Sequence, residues 1–522
     1  MRTRRRPDRD GLVTKVDKTT EFRVKQLDAY LVLDIGKTNK KFLVYDTSLK
    51  LLISKSIEIG IIKQDGIEIE NVQTLIKWLT EEISAISRSY HFKNIAISCH
   101  GAAFALLNKN DELCYPIMSY TSVMNDAFFK DFTAEYGSAE KLLQETGTPD
   151  LGFINIGKGL HYLKTFHPEE YSTAKTFLFY PQYFGFLFTG KKSLEYTYLG
   201  NHSYLWDFQK QTYSDFSVQV GVRHCLPEKI QKPWENLGNL TQKWKDAWGF
   251  NYDIPVTVGI HDSNGALLPY LLKGMENSVL LSTGSWCVGM IPAMPYKLSQ
   301  EDISANTFYN IDSWGRPLRT SIFTGGLEYA AYDVMFGKKD QSNLESLNTL
   351  LENSELFILP GLIKGTSVFP GCTPSIIYRD EVITHAHMMK FIKANPELKQ
   401  QLYTALSVSL GIQAVELFKR LNVKAEGKIY LEGGFLKNSV WCETIMNIRN
   451  DLKFYSTNLQ EASAFGAALT ALIADRKIEP SSASDSFSLQ LDQMKAKLSL
   501  NFNGYVKKYF VNLKKIGVNH AN

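Results

Sequence analysis

The chain has 522 residues, 44% of them hydrophobic and 21% charged, with a formal net charge of +4. That length holds two domains with cores of their own, and that composition excludes a disordered or fibrous chain. The basic excess lies in the first thirty residues, where nine Lys/Arg face five Asp/Glu, so the neutral remainder gives no electrostatic ground for a nucleic-acid or membrane partner. Residues 1–29 lack the apolar core of a secretory signal and read as a disordered basic leader outside the fold. No window approaches a 20-residue apolar span, so no transmembrane helix is expected. Cys99, Cys114, Cys225, Cys287, Cys372 and Cys442 are widely spread with no C-x-x-C pair, which fits a reducing cytoplasm better than a zinc or disulfide framework.

The first apolar stretch, 31-LVLDIGKTNKKFLVYD-46, centres on Gly36-Lys37-Thr38, the ending of a P-loop. A P-loop needs a glycine five residues before Gly36, and that position is Leu31. No helical pattern follows, so the stretch reads as strand, tight turn and strand. Such a hairpin can hold phosphate, because Gly36 allows close backbone approach and successive N–H groups form an anion-binding concavity. A plain hairpin with a lysine-rich tip is the other reading. A short strand at 51–60 follows, then a helical pattern at 71–90 with Asn71 as its cap. The buried strand 94-NIAISC-99 runs into 100-HGAAFALL-107, giving an α/β unit.

From about residue 135 to 250 the chain is rich in aromatics, with helical stretches at 158–166 and 179–188, the latter read as core. Strand language restarts at 254-IPVTVGIHDSNGALL-268, and 278-SVLLSTGSWCVGMI-291 is a second strand, glycine turn and strand. A long helix at 397–421, a strand at 428–434 and helices at 435–448 and 459–474 come next. A Ser-rich linker and a lysine-rich, solvated helix end the chain. Two glycine hairpins, each opening an α/β unit, are the plan of the actin-like ATPases. The expected fold is therefore α/β, with two actin-like (ribonuclease H-like) domains at 30–256 and 257–475 around a nucleotide cleft, and a linker and helix at 476–522.

At these residues the sequence resembles the FGGY family of carbohydrate kinases over roughly residues 30 to 475. The family's first hairpin, D-x-G-T-[ST]-x-x-[RK], corresponds to Asp34, Gly36, Lys37, Thr38 and Lys41, with Lys37 departing at the usual Thr. The second is similar to Ser282-Thr283-Gly284-Ser285-Trp286. The segment 259-GIHDSNGAL-267 resembles G-x-x-D-x-x-x-[GA], 432-EGGFLKNSVW-441 the G-G-x-x-x-N adenosine element, and 461-EASAFGAAL-469 the E-A-x-A-x-G-A-A helix. The resemblance implies ATP and Mg²⁺ as cofactors. It implies phosphate and nucleotide contacts at Gly36, Lys37, Thr38, Asn39, Lys41, Thr283, Gly284, Ser285, Gly433, Gly434 and Asn438, and Mg²⁺ at Asp34 through water. It implies Asp262 as catalytic base, and a sugar pocket drawn from His100, Gly101, Tyr120, His261 and Asp262.

Each of these residues also has a plainer reading: Asp34 as a turn residue, Asp262 as a helix cap, His100 as a satisfied structural group, Gly433 and Gly434 as a strand-to-helix turn. Phosphoryl transfer needs positioning and charge neutralisation more than covalent chemistry. The hydroxyls of Thr38, Thr283 and Ser285 are expected around the phosphates. The implied substrate is a ketose such as L-rhamnulose or L-fuculose, with a xylulose- or ribulose-type kinase as the alternative. A filament-forming or chaperone-type actin-like ATPase and a regulator without catalysis are the readings from other classes. The expected protein is cytoplasmic, monomeric or homodimeric.

Overall fold

The computed structural model describes residues 26–518, apart from 276–277, 305, 339–341, 364–366, 370 and 458. Most of the expected basic leader, residues 1–25, lies outside the described residues; the first strand, Leu27–Ile35, already takes in its last three positions.

That strand pairs antiparallel with Asn39–Asp46 in a register that sets Asp34 opposite Lys41 and Ile35 opposite Lys40, leaving Gly36–Thr38 as the turn. The hairpin is as expected. Leu51–Glu58 adds beyond Asn39–Asp46. On the other side Tyr90–Cys99 runs parallel to the first strand, followed by Pro255–Thr257 and Ile260–His261, both parallel to Tyr90–Cys99. Alternate residues of these strands face opposite layers. Leu31, Leu33 and Ile35 join Phe42, Ile95, Ile97 and the helix Val72–Ile86 in the first core. Tyr30, Val32, Leu43 and Ala96 face the helices Asp262–Leu272 and Ala462–Arg476. Covered on both faces, the strands read as continuous apolar runs, as strands with parallel neighbours do.

The second sheet repeats this order. Ser278–Thr283 pairs antiparallel with Cys287–Pro292, Pro317–Phe323 lies beyond it, and Lys428–Gly433 and Lys453–Thr457 run parallel on the other side. Behind it the buried helix Lys399–Arg420 fills the second core.

Two expected boundaries move. The strands at 255–257 and 260–261 complete the first sheet, so the chain changes domain after the Asp262–Leu272 helix rather than at 257. Nor is the segment after 475 a linker with a solvated helix. Leu491–Met494 pairs with Lys453–Thr457 as an edge strand, and Asn503–Lys515 buries Tyr505, Tyr509 and Leu513 in the second core. Those three lie four residues apart on one helical face, while the lysines occupy the other. The helix Tyr180–Thr189 is core, as expected. All six cysteines are free. Among the described residues no helix is long and apolar enough to cross a membrane.

Candidate active site

Asp34 stands one residue before the end of the first strand and is buried, and its Oδ2 accepts a hydrogen bond from Ser463 Oγ at 2.9 Å. Burial pushes its carboxyl up to about 6, and the nearby Asp262 charge adds to the rise. Asp262 opens the helix Asp262–Leu272, where its Oδ1 accepts from its neighbour's backbone, Ser263 N, at 2.6 Å and from Ser263 Oγ at 3.3 Å. Its side chain is 33% exposed, so one edge of the carboxylate is open to a ligand. Burial raises its pKa too, and the hydrogen bonds from Ser263 only partly oppose this. Two neighbouring carboxylates short of counter-charge suit a hard divalent cation, so these residues fit Mg²⁺ at Asp34.

Two glycines make this arrangement possible. A Cβ on Gly265 would lie 2.7 Å from the Ser463 carbonyl oxygen, and one on Gly466 would lie 1.9 Å from the Gly265 carbonyl oxygen. The two helices therefore cross backbone to backbone, which brings Ser463 against Asp34. Lys41 ties the first hairpin to the same helix start by an ion pair with Glu461 at 2.6 Å.

On the side of His100 and Tyr120, Lys37 turns away from the hairpin tip. Its Nζ donates to Glu70 Oε1 at 2.5 Å and to Ser119 Oγ, and lies 5.2 Å from the Tyr120 ring centroid. Burial pushes Glu70 up, but Lys37 and Lys40, joined by His100 whenever its ring is protonated, outweigh it and hold the carboxyl below its usual value. His100 Nε2 is 3.8 Å from Glu70 Oε1, and Nδ1 lies 3.0 Å from the Gly101 carbonyl, so Nδ1 carries the proton of a neutral ring. Burial holds that ring's pKa below its usual value. The rings of Tyr120 and Tyr180 flank it at 5.5 and 5.3 Å. His261 is neutral as well, since burial pushes it down to about 3. Its backbone N–H donates to Thr197 Oγ1 at 3.0 Å. A Cβ on Gly101 would stand 2.8 Å from His261 Nε2, so Gly101 makes room for that imidazole.

The second hairpin groups with the Gly433–Gly434 turn. Thr283 Oγ1 donates to the Glu432 carbonyl at 2.6 Å and accepts from Phe435 N at 3.2 Å. Its hydroxyl therefore ties hairpin to turn, where the sequence suggested a phosphate contact. Thr38, Asn39, Gly284 and Ser285 are exposed at the hairpin tips. Gly433 has φ +95°, and a Cβ there would lie 2.2 Å from the Thr283 carbonyl oxygen, a position only glycine fills. Gly434 is exposed beside it. Asn438 caps the helix Ser439–Ile448 through Trp441 N at 2.9 Å and donates to Ser407 Oγ at 2.9 Å, so its amide is engaged within the protein. The strand Lys453–Thr457, next but one to the second hairpin, leads the chain to Glu461 and Ser463, linking the two groups.

Five residues escaped the sequence reading: Glu70, Ser119, Ser463, Gly326 and Asn264. Gly326 lies under the second hairpin, where a Cβ would meet the Gly284 carbonyl oxygen at 2.2 Å; the Gly325-Gly326 pair was its signal. Asn264 is buried two residues after Asp262, and neither amide atom has a hydrogen-bond partner among the described residues.

Two domains with one strand order, each presenting a glycine hairpin, define a two-domain protein of the actin-like ATPase class. Residues 29–269 match the N-terminal domain of the FGGY family of carbohydrate kinases, and residues 275–480 match the carbohydrate kinase FGGY C-terminal domain. The chain belongs to that family. It is 26% identical over 259 residues to a rhamnulokinase of Halalkalibacterium halodurans, covering 49% of this chain and 54% of that protein. It is 24% identical over 320 residues to an L-fuculokinase of Escherichia coli, covering 59% and 65%. The chain thus spans between half and two thirds of the length of these curated relatives. Among solved structures, a carbohydrate kinase from Novosphingobium aromaticivorans superposes with a TM-score of 0.78 at 23% identity, over 94% of this chain and 99% of that one.

Proposed function

We propose that the protein transfers the γ-phosphoryl group of ATP to a hydroxyl of a ketose, with L-rhamnulose and L-fuculose as the first candidates. The observation that carries this is Asp262: a carboxylate with a raised pKa and one open edge, beside buried Asp34 and the polar acceptor wall of His100 and Tyr120. A base whose pKa is lifted toward the working pH accepts a hydroxyl proton more readily.

In the transfer, the sugar oxygen bonds to the γ-phosphorus. The bond to the β-phosphate oxygen breaks with its electron pair on ADP, and the hydroxyl proton passes to Asp262. Mg²⁺ supplies charge neutralisation of the phosphates. Asp34 would hold it through water, and the exposed hairpin tips at Thr38–Asn39 and Gly284–Ser285 would offer backbone N–H groups to phosphate oxygens. Neutral His100 and His261 orient the sugar by hydrogen bonding without adding charge. The relatives named rhamnulokinase and L-fuculokinase support the choice of sugar.

The test is ADP release from Mg-ATP with a panel of ketoses, aldoses and polyols. One strong responder among the deoxy-ketoses is expected. A response to xylulose or ribulose alone replaces the sugar. ATP turnover that ignores every sugar replaces the kinase with an actin-like ATPase of another kind.

A further inference from the structure

Lys37 stands at the tip of the first phosphate hairpin, yet its ammonium is held on the acceptor wall by Glu70 and Ser119. The holders are built into the fold. Glu70 N donates to the Ile117 carbonyl at 2.8 Å, and Ser119 N donates to the Glu68 carbonyl at 2.7 Å, which locks the two segments together. Ser119 Oγ lies 2.7 Å from Thr121 Oγ1, which donates in turn to Glu68 Oε2 at 2.6 Å. Glu70 is buried and ionised, and His100 Nε2 beside it has no hydrogen-bond partner among the described residues. The corner formed by Glu70, Ser119 and His100 thus offers a polyol two acceptors and a hydroxyl. Lysine is a point charge on a flexible four-carbon stem, so one Cα position serves two ammonium positions.

We propose that this cluster is a sugar-operated latch. Without sugar, Glu70 and Ser119 keep Lys37 off the nucleotide. When sugar hydroxyls occupy the corner and hydrogen-bond to Glu70 and Ser119, Lys37 is released to the transferred phosphoryl group and neutralises charge there. The inference rests on the phosphoryl-transfer reading. Its consequence is that ATP is spared when no acceptor is present. In the side reaction that the latch suppresses, a water oxygen bonds to the γ-phosphorus, ADP leaves with the electron pair, and the water proton goes to Asp262.

The full-length protein tests this with Glu70→Gln, Lys37→Met and the double variant. Two readouts are used: sugar-free ADP release, and calorimetric affinity for ADP and for a non-hydrolysable ATP analogue. Glu70→Gln is expected to raise sugar-free ADP release roughly tenfold and to tighten the analogue but not ADP. Lys37→Met is expected to lower sugar-dependent kcat at least about tenfold with ADP affinity unchanged, and to abolish both gains in the double variant. Ser119→Ala, a milder release, moves sugar-free turnover in the same direction and carries the test if the buried Glu70 variant does not fold. The latch is overturned if the release variants leave sugar-free turnover and analogue affinity at wild-type values. It is also overturned if the double variant keeps the gains, or if Lys37→Met alters only the sugar KM. A wild-type protein that phosphorylates no sugar overturns the enzyme reading instead, and the calorimetric comparison still decides whether Lys37 reaches the nucleotide.

Discussion

Asp34 is a charge kept where folding alone would not keep it. Its rise from 3.8 to about 6 corresponds to about 3 kcal/mol of lost stability once the pH is above 6. The folded state binds the proton more tightly than the unfolded one. The group's stabilising share is therefore full below about pH 4 and disappears as pH rises through 6. Asp34→Asn should raise the melting temperature at pH 7.5, narrow its gap to wild type on acidification to pH 5, and abolish turnover. Thermal unfolding of both proteins at the two pH values measures this, and an Asn variant no more stable than wild type at pH 7.5 contradicts it. Asp262→Asn should cut kcat by ~10²–10⁴ while nucleotide binding survives. Undiminished turnover would remove Asp262 from the proton transfer.

At the scale of elements, the site depends on one helix crossing. Gly466→Ala would drive a methyl group into the Gly265 carbonyl. It is expected to cost about 3 kcal/mol and, with both domains unfolding as one unit, to lower Tm by roughly 3 °C. Turnover should fall as well, because Asp262 opens one of the two helices. Alanine accepted without loss would mean that the crossing is looser than described. The sequence made the hairpins legible because alternating apolar strands around a glycine turn are local signals. It made Asp34 and Asp262 legible because each closes a strand pattern. It could not show that Ser463 bonds Asp34 across 429 positions, or that Lys37 pairs with Glu70 thirty-three positions on, since those partners meet only through tertiary packing. Asn438 and Thr283 read as nucleotide and phosphate contacts, but a sequence does not say whether a polar side chain is free for a ligand or already engaged in a cap or a tie, as both are here. The strand at 491–494 is short and half polar, which hid it inside apparent linker.

For the whole molecule, the two sheets repeat one order but share their covering. The Asp262–Leu272 and Ala462–Arg476 helices lie on the first sheet, and Ala462–Arg476 directly follows a strand of the second domain. A ligand gripped by both domains should therefore stabilise them as a unit. Nucleotide at a hundred times its Kd is worth ~2.7 kcal/mol to the folded state. Melting temperature should rise with nucleotide and again when the responding sugar is added, and two separately moving transitions in calorimetry would argue against a shared unit.

The lateness of that covering helix also governs how the chain is made. A ribosome completes the first sheet's last strand at His261 but releases the helix that shields Tyr30, Val32, Leu43 and Ala96 only after residue 476, roughly two hundred residues later. At about 5–20 residues per second that interval is about 10–40 s, during which only the Asp262–Leu272 helix is present to cover that apolar face. A polypeptide halted at residue 272 is accordingly expected to aggregate where the full chain does not, and sedimentation of the two after synthesis in vitro checks this.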